Sequence, residues 1–267
     1  MDHNSQTFPC TAGTAKTISK LFVDIGRGSL CNVEKDAVIE SLDVRAGQAF
    51  LDMGCGGGHL VKELGLATGY SGLVVGVDPS SHQLEMARTL CGSPPNIKLI
   101  EGSAADIPYD DNSFDGISAL QTYEYVNDVI AALTEARRIL RRGSPIVIVS
   151  ILWDHCRFYG ADDALNDQIF EAFKAHVFHQ MLPMELPHLL TTTGFGSLTR
   201  KNLSYVDTAL HEGAPGFYLS KLMALFAIEQ GVGESDADKW LTQLTEADEK
   251  NRYGFVNFPV LTSASAI

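Results

Sequence analysis

The sequence predicts an α/β protein built on a doubly wound, mostly parallel sheet. Short apolar runs alternate with helical patterns between residues 48 and 151, and the first run breaks into four glycines within five residues, in FLDMGCGGGHL at 50–60. Such alternation marks parallel strands joined by crossover helices. In that architecture ligands sit beyond the carboxyl ends of the strands, commonly at the first strand-to-helix loop. A chain of 267 residues, 45% hydrophobic and 20% charged, has enough apolar material for a packed core without metal or disulfide staples.

The expected strands are QAFLDM (48–53), LVVGVD (73–78), IKLIE (97–101), FDGISAL (114–120) and PIVIVSIL (145–152), with helical patterns at 57–67, 80–91 and 127–142. Past residue 152 the pattern turns mostly helical, at 163–180, 184–195, 216–230 and 235–250, interrupted by strand-like runs at 197–207 and 253–263. These two runs supply a sixth and a seventh strand, one of them antiparallel, giving a seven-stranded sheet with helical insertions after strands five and six. The first 40 residues carry a partly helical pattern. One domain is expected over 1–267: an N-terminal helical cap (1–44), a cofactor-binding core (45–152) and a C-terminal part with substrate-lid helices (153–267).

A formal charge of −13 repels phosphate backbones and anionic membranes. The one dense basic run, RRILRR at 137–142, closes a helical pattern before Gly143 and reads as helix-end electrostatics. Five cysteines without a CxxC pair, and an N-terminus lacking an apolar signal region, point to a reducing cytoplasm. The apolar stretch at 217–228 contains Lys221 and is too short to span a bilayer. The partner expected is therefore a small molecule, with neither nucleic acid nor membrane; a homodimer is compatible with the sequence.

Gly54, Gly56 and Gly58 let a ligand lie directly on the main chain. A dinucleotide fingerprint places its third glycine at residue 59, which is His59, so D-x-G-x-G-x-G starting at Asp52 fits better. A carboxylate there suits a cationic amino group, although it also suits bracing of the loop. Asp78, 20 residues past Gly58, ends the second strand, where it can accept hydrogen bonds from ribose hydroxyls. Asp106, after the third strand, can accept from an exocyclic amine, with Ile107 and Pro79 as candidates to flank an adenine.

Together LDMGCGGG, VGVDPSSHQLEMAR, GSAADIPYDDNSFD and ARRILRRGSPIVI resemble the class I S-adenosylmethionine-dependent methyltransferases, in particular the small-molecule enzymes related to the ubiquinone/menaquinone-biosynthesis type. The resemblance covers roughly residues 45–150 and departs from the usual pattern at Ser103 and at Arg142-Gly143-Ser144. It implies a Rossmann-like sheet and S-adenosyl-L-methionine as cofactor. By resemblance, Asp52, Gly54, Gly56 and Gly58 face its methionine portion, with Gln121 nearby. Asp78 faces the ribose, and Ala105 (through its amide) and Asp106 face the adenine.

Methyl transfer from a sulfonium is an in-line displacement that needs orientation and desolvation more than a dedicated nucleophile. A base is required only for acidic acceptors. His155, just past the fifth strand, is the candidate, with Tyr123 second and Glu124, Tyr205 and His211 as further alternatives. No metal site is expected, since His176 and His179 form only a loose pair. Trp153, Phe158, Phe170, Phe173, Met181 and Met223 suit a lid over an apolar or aromatic substrate, and suit ordinary helix packing equally. Two rival functions remain: an NAD(P)-dependent oxidoreductase, and an S-adenosylmethionine-binding protein without catalysis.

Overall fold

The computed structural model describes residues 29–267. Helix α1 (Ser29–Leu42) leads into β1 (Ala49–Met53), α2 (His59–Thr68), β2 (Leu73–Asp78), α3 (Ser81–Cys91), β3 (Ile97–Glu101), β4 (Gly116–Leu120), α4 (Val129–Ile139) and β5 (Pro145–Ile151). Strands β2 and β5 are buried on both faces, so their sequences read as unbroken apolar runs rather than alternations. Ser80 caps α3 by accepting from the Gln83 N–H, and Asp128 caps α4 by accepting from Ala131.

The main sheet has seven strands in the order β3-β2-β1-β4-β5-β10-β7. Its last two members are β7 (Phe195–Asn202) and β10 (Pro259–Ala266); β10 runs antiparallel to both neighbours and the other strands are parallel. The expected sheet, its strand number and its single antiparallel member are all present. Helices α1, α2 and α3 cover one face, with Val38, Leu42, Val61, Leu64 and Leu84 packed on Phe50, Val74, Val147 and Val149. On the other face α4 and α6 (Leu182–Thr192) bury Leu133, Ala136, Leu186 and Leu190.

The C-terminal third differs in detail. The run 197–207 divides into β7 and β8 (Tyr205–Asp207), and the run 253–263 into β9 (Gly254–Asn257) and β10. With β6 (Arg157–Tyr159), which has too few residues to show alternation, β8 and β9 form a second, three-stranded antiparallel sheet in the order β6-β9-β8. Helices α5 (Asp163–Phe173), α7 (Pro215–Glu229) and α8 (Glu234–Glu249) pack with this sheet around Trp240, Phe158, Phe226 and Phe255. The helix expected over 163–180 ends at Phe173 and tightens into a 3₁₀ turn at 174–176.

Helix α4 ends at Ile139, short of the expected 142, so part of the basic run lies beyond it. Arg138 donates to Glu135, to Asp111 and to the carbonyls of Ile107 and Tyr109, while Arg141 pairs with Asp115 and Arg137 donates to the Ile267 carbonyl. These cations tie down the loop before β4 as well as the helix end. No helix among the described residues is long and apolar enough to cross a membrane.

Candidate active site

Strand order reverses between β1 and β4, which opens a crevice at the carboxyl ends of the strands. The glycine loop fills its rim. The amides of Gly54 and Cys55 both donate to the Val77 carbonyl, at 2.8 and 3.0 Å, folding the loop against the end of β2. Asp78 anchors it further: one carboxylate oxygen accepts from Gly56 N–H and the other from Ser80 N–H, each at 2.9 Å. Burial pushes the Asp78 carboxyl up from its ordinary value, and the two N–H bonds oppose that rise.

The three glycines of the motif meet different demands. A Cβ on Gly54 would lie 2.3 Å from Thr122 Cγ2, and one on Gly58 would lie 2.8 Å from Ala87 Cβ, so both are kept bare by neighbouring protein. Gly56 has φ +49°, and the nearest atom to a Cβ there is 3.9 Å away. Its bare face is open to a ligand.

Asp52 lies beneath the loop, 2% exposed, and accepts 2.8 Å from the Ser118 hydroxyl. Burial raises its carboxyl to about 7; the Ser118 bond lowers it and the Asp78 charge raises it further. Gln121, at the tip of β4, has a left-handed φ of +51° and donates its backbone N–H to the Val149 carbonyl at 2.7 Å. Left-handed backbone at a non-glycine residue is a strain often held at functional sites. Its side-chain amide donates 2.9 Å to Glu34 of α1. Burial raises Glu34 to about 7, the Gln121 bond lowering it and the Glu124 charge raising it. Glu34 carries no motif, and nothing in its local sequence marks it.

On the third loop Ala105 and Asp106 are exposed, and the Ala105 amide donates 3.2 Å to the Ser103 hydroxyl. Pro79 is likewise exposed beside Asp78. Ile107 is placed differently from expectation: its side chain is 2% exposed within the main core and its amide donates to Glu135, because the Arg138–Glu135 pair pulls this segment inward.

The two residues expected to act as bases are also separated. Tyr123 is fully buried and its hydroxyl has no hydrogen-bond partner; burial raises its pKa steeply, so it is a core side chain and not an exposed base. His155 is exposed and sits edge-on to Phe258, 6.3 Å between ring centres, on the β10 side of β5. Glu124 is fully buried and raised by that burial to about 7, accepting from the Ile151 amide at 3.4 Å. Tyr205 belongs to the small sheet, where it accepts from Asn257, and His211 is exposed before α7.

His176 and His179 do not converge on a common point: His176 bonds the Phe173 carbonyl and stacks on its ring, and His179 bonds the Val126 carbonyl. Most of the expected lid aromatics pack on one another, with Phe158 stacked on Phe255 at 4.4 Å. Trp153, Phe170, Phe173, His176 and Met223 line a cavity of about 10 Å³, room for roughly one water.

Residues 51–148 match the family model described as a methyltransferase domain. Demethylmenaquinone methyltransferase from Staphylococcus aureus is 36% identical over 115 residues, covering 43% of this chain and 48% of that protein. The chain spans about half or less of the length of the curated relatives it matches. Among solved structures, the YcgJ protein of Bacillus subtilis superposes with a TM-score of 0.61 at 17% identity, covering 88% of this chain and 98% of that one. Phosphoethanolamine N-methyltransferase 2 from Haemonchus contortus, in complex with S-adenosyl-L-methionine, gives a TM-score of 0.57 at 17% identity, covering 87% and 52%. At these identities the likeness is one of fold. Over residues 51–148 this chain is similar to a methyltransferase domain.

Proposed function

We propose that the chain transfers a methyl group from S-adenosylmethionine to a small, apolar or aromatic metabolite. The observation that carries this reading is the glycine loop. Its outward glycine, Gly56, faces open space while its amide is held by Asp78, which leaves a bare cradle beside a buried carboxylate at the switch of strand order. The cradle fits an amino-acid-bearing nucleoside: main chain for the amino-acid end, and the remaining lone pairs of Asp78 for ribose hydroxyls. Ala105 and Asp106 present an exposed amide and carboxylate to the adenine edge, with Pro79 against its face. When bound, the cofactor supplies a methyl group on a positively charged sulfur.

The protein's part is binding, orientation and the exclusion of water. For acceptors that lose a proton, His155, exposed just beyond β5 beside the equally exposed Asp154, takes that role. Replacing His155 by glutamine then slows turnover and leaves cofactor affinity unchanged; an unaltered pH–rate profile would remove it as the base. A small-molecule acceptor accords with the relative named demethylmenaquinone methyltransferase. The reading is tested by incubating the protein with methyl-labelled S-adenosylmethionine and a metabolite extract. Label should appear in a low-molecular-weight product, and a complete lack of transfer alongside tight cofactor binding would indicate a binding protein instead.

A further inference from the structure

The turn after β5 and the segment after α5 enclose two neighbouring cavities away from the glycine loop. The inner one, of about 10 Å³, is walled by Trp153, Phe173, His176, Gln180 and Met223. The outer one is an open cleft of about 250 Å³ lined by Asp154, Arg157, Asp167 and Glu171. Cys156, Phe170 and Lys174 line both, so these three side chains stand between the two spaces. Trp153 is two residues past the end of β5, at the edge of the sheet on which the crevice opens. No residue of the glycine loop lines either cavity.

Two polar atoms of the inner residues are buried and take no hydrogen bond from the described residues, His176 Nε2 and Gln180 Oε1. Both are acceptors. Nδ1 of His176 lies 2.6 Å from the Phe173 carbonyl, which can only accept, so that nitrogen carries the ring proton and Nε2 keeps its lone pair. The residue is 6% exposed, and burial lowers its pKa to about 3, which keeps the ring neutral. Gln180 spends its amide N–H on the Lys174 carbonyl and leaves its oxygen over. The Trp153 indole N–H, also short of a full hydrogen bond, interacts with Glu124 and lowers its carboxyl. A buried acceptor without a partner is costly, and a donor group brought by a ligand recovers that cost. In the outer cleft the cations are already paired, Arg157 with Asp163 and Asp167, and Lys174 with Glu171 and Asp154. Neither is free to hold an anion.

We infer that the two cavities form one binding site for a small, uncharged aromatic molecule ending in an amino or hydroxyl group. The ring lies in the cleft against Phe170, and the tip passes inward to donate to His176 Nε2 and Gln180 Oε1. The inner space holds a single water-sized group, which suits an amino or hydroxyl tip and is too small for a carboxylate. Two acceptors that lack a donor turn away carbonyls and ethers. Phe170, with Trp153 and Phe173 behind it, offers ring faces and edges to an aromatic body. The site stands independently of the cofactor assignment, because it shares no residue with the glycine loop.

Aniline, phenol and toluene are near-equal in size and differ in the hydrogens they can donate, so they serve as probes. The full chain has two tryptophans, and their indole N–H signals in nitrogen-15 NMR report binding. Trp240, whose indole donates 3.0 Å to Asn166, is the internal reference for Trp153. Aniline and phenol should shift the Trp153 signal saturably, and toluene should bind about tenfold more weakly because it leaves both acceptors unpaired. His176→Phe keeps a ring and removes the acceptor, and should bring aniline and toluene to within about twofold of each other. Gln180→Met, which leaves the His176 bond to Phe173 intact, should narrow the same gap by a second route. Toluene binding as tightly as aniline in the wild-type protein would overturn the inference, as would a preference for aniline that survives in both variants. So would the absence of any Trp153 shift with all three probes up to their solubility.

Discussion

Asp78 holds the loop through Gly56 and Ser80, and in the proposed function the same carboxylate also accepts from the ribose hydroxyls. Replacement by alanine should weaken S-adenosylmethionine binding by about 1.5–3 kcal/mol, the loss expected for charge-assisted hydrogen bonds; unchanged affinity by calorimetry would contradict the ribose role. Asp78 and the glycines are legible in the sequence because one crossover carries them all, so their spacing is fixed by local chain geometry. Glu34 is not legible, because its partner Gln121 is 87 residues away and only the folded sheet brings the two together. Ile107 and Tyr123 show the complementary limit: each was placed near the site by its position in the chain, and each side chain turns into the core.

At the scale of the element, the glycines of the turn from β1 to α2 differ in what surrounds them. Gly58 is the left-handed cap of α2, with φ +82° and Ala87 against its back. Alanine there should lower stability by about 1–2 kcal/mol for the left-handed backbone alone, and by more from the contact with Ala87. Gly56→Ala carries the backbone penalty without the clash. It should melt at a higher temperature than Gly58→Ala, yet lose about 1.4 kcal/mol or more of cofactor affinity, a tenfold effect. Equal cofactor affinities in the two variants would show that Gly56 does not face the ligand. Strands β1 to β5 are legible because each is a bounded apolar run. Strands β6, β8 and β9, of three or four residues each, are not, since their pairing is set by partners up to about 100 residues distant.

For the whole molecule, the buried carboxyls link the crevice to stability. Glu34, Asp52 and Glu124 are each raised to about 7 by burial. An acid whose folded pKa lies above its unfolded one holds more protons when folded, so its contribution to stability is greatest at low pH. That contribution is lost as pH rises from the unfolded value, 4.5 for Glu34, to about 7. Glu34→Gln should therefore match the wild-type protein in thermal stability at pH 5 and exceed it at pH 8, by about 2–4 °C per kcal/mol for a chain of this size. A variant less stable than wild type at pH 8 would show that the Glu34 carboxylate is stabilised by its surroundings, contrary to the burial argument.

In the proposed function, bare main chain at the first crossover, held by Asp78, binds S-adenosylmethionine. A calorimetric titration of the purified chain with this compound tests it most directly. Saturable binding of one molecule per chain is expected, with a dissociation constant on the order of micromolar, within the usual range for enzyme substrates. An absence of binding at about millimolar ligand, in a protein that shows a cooperative thermal transition, would contradict it.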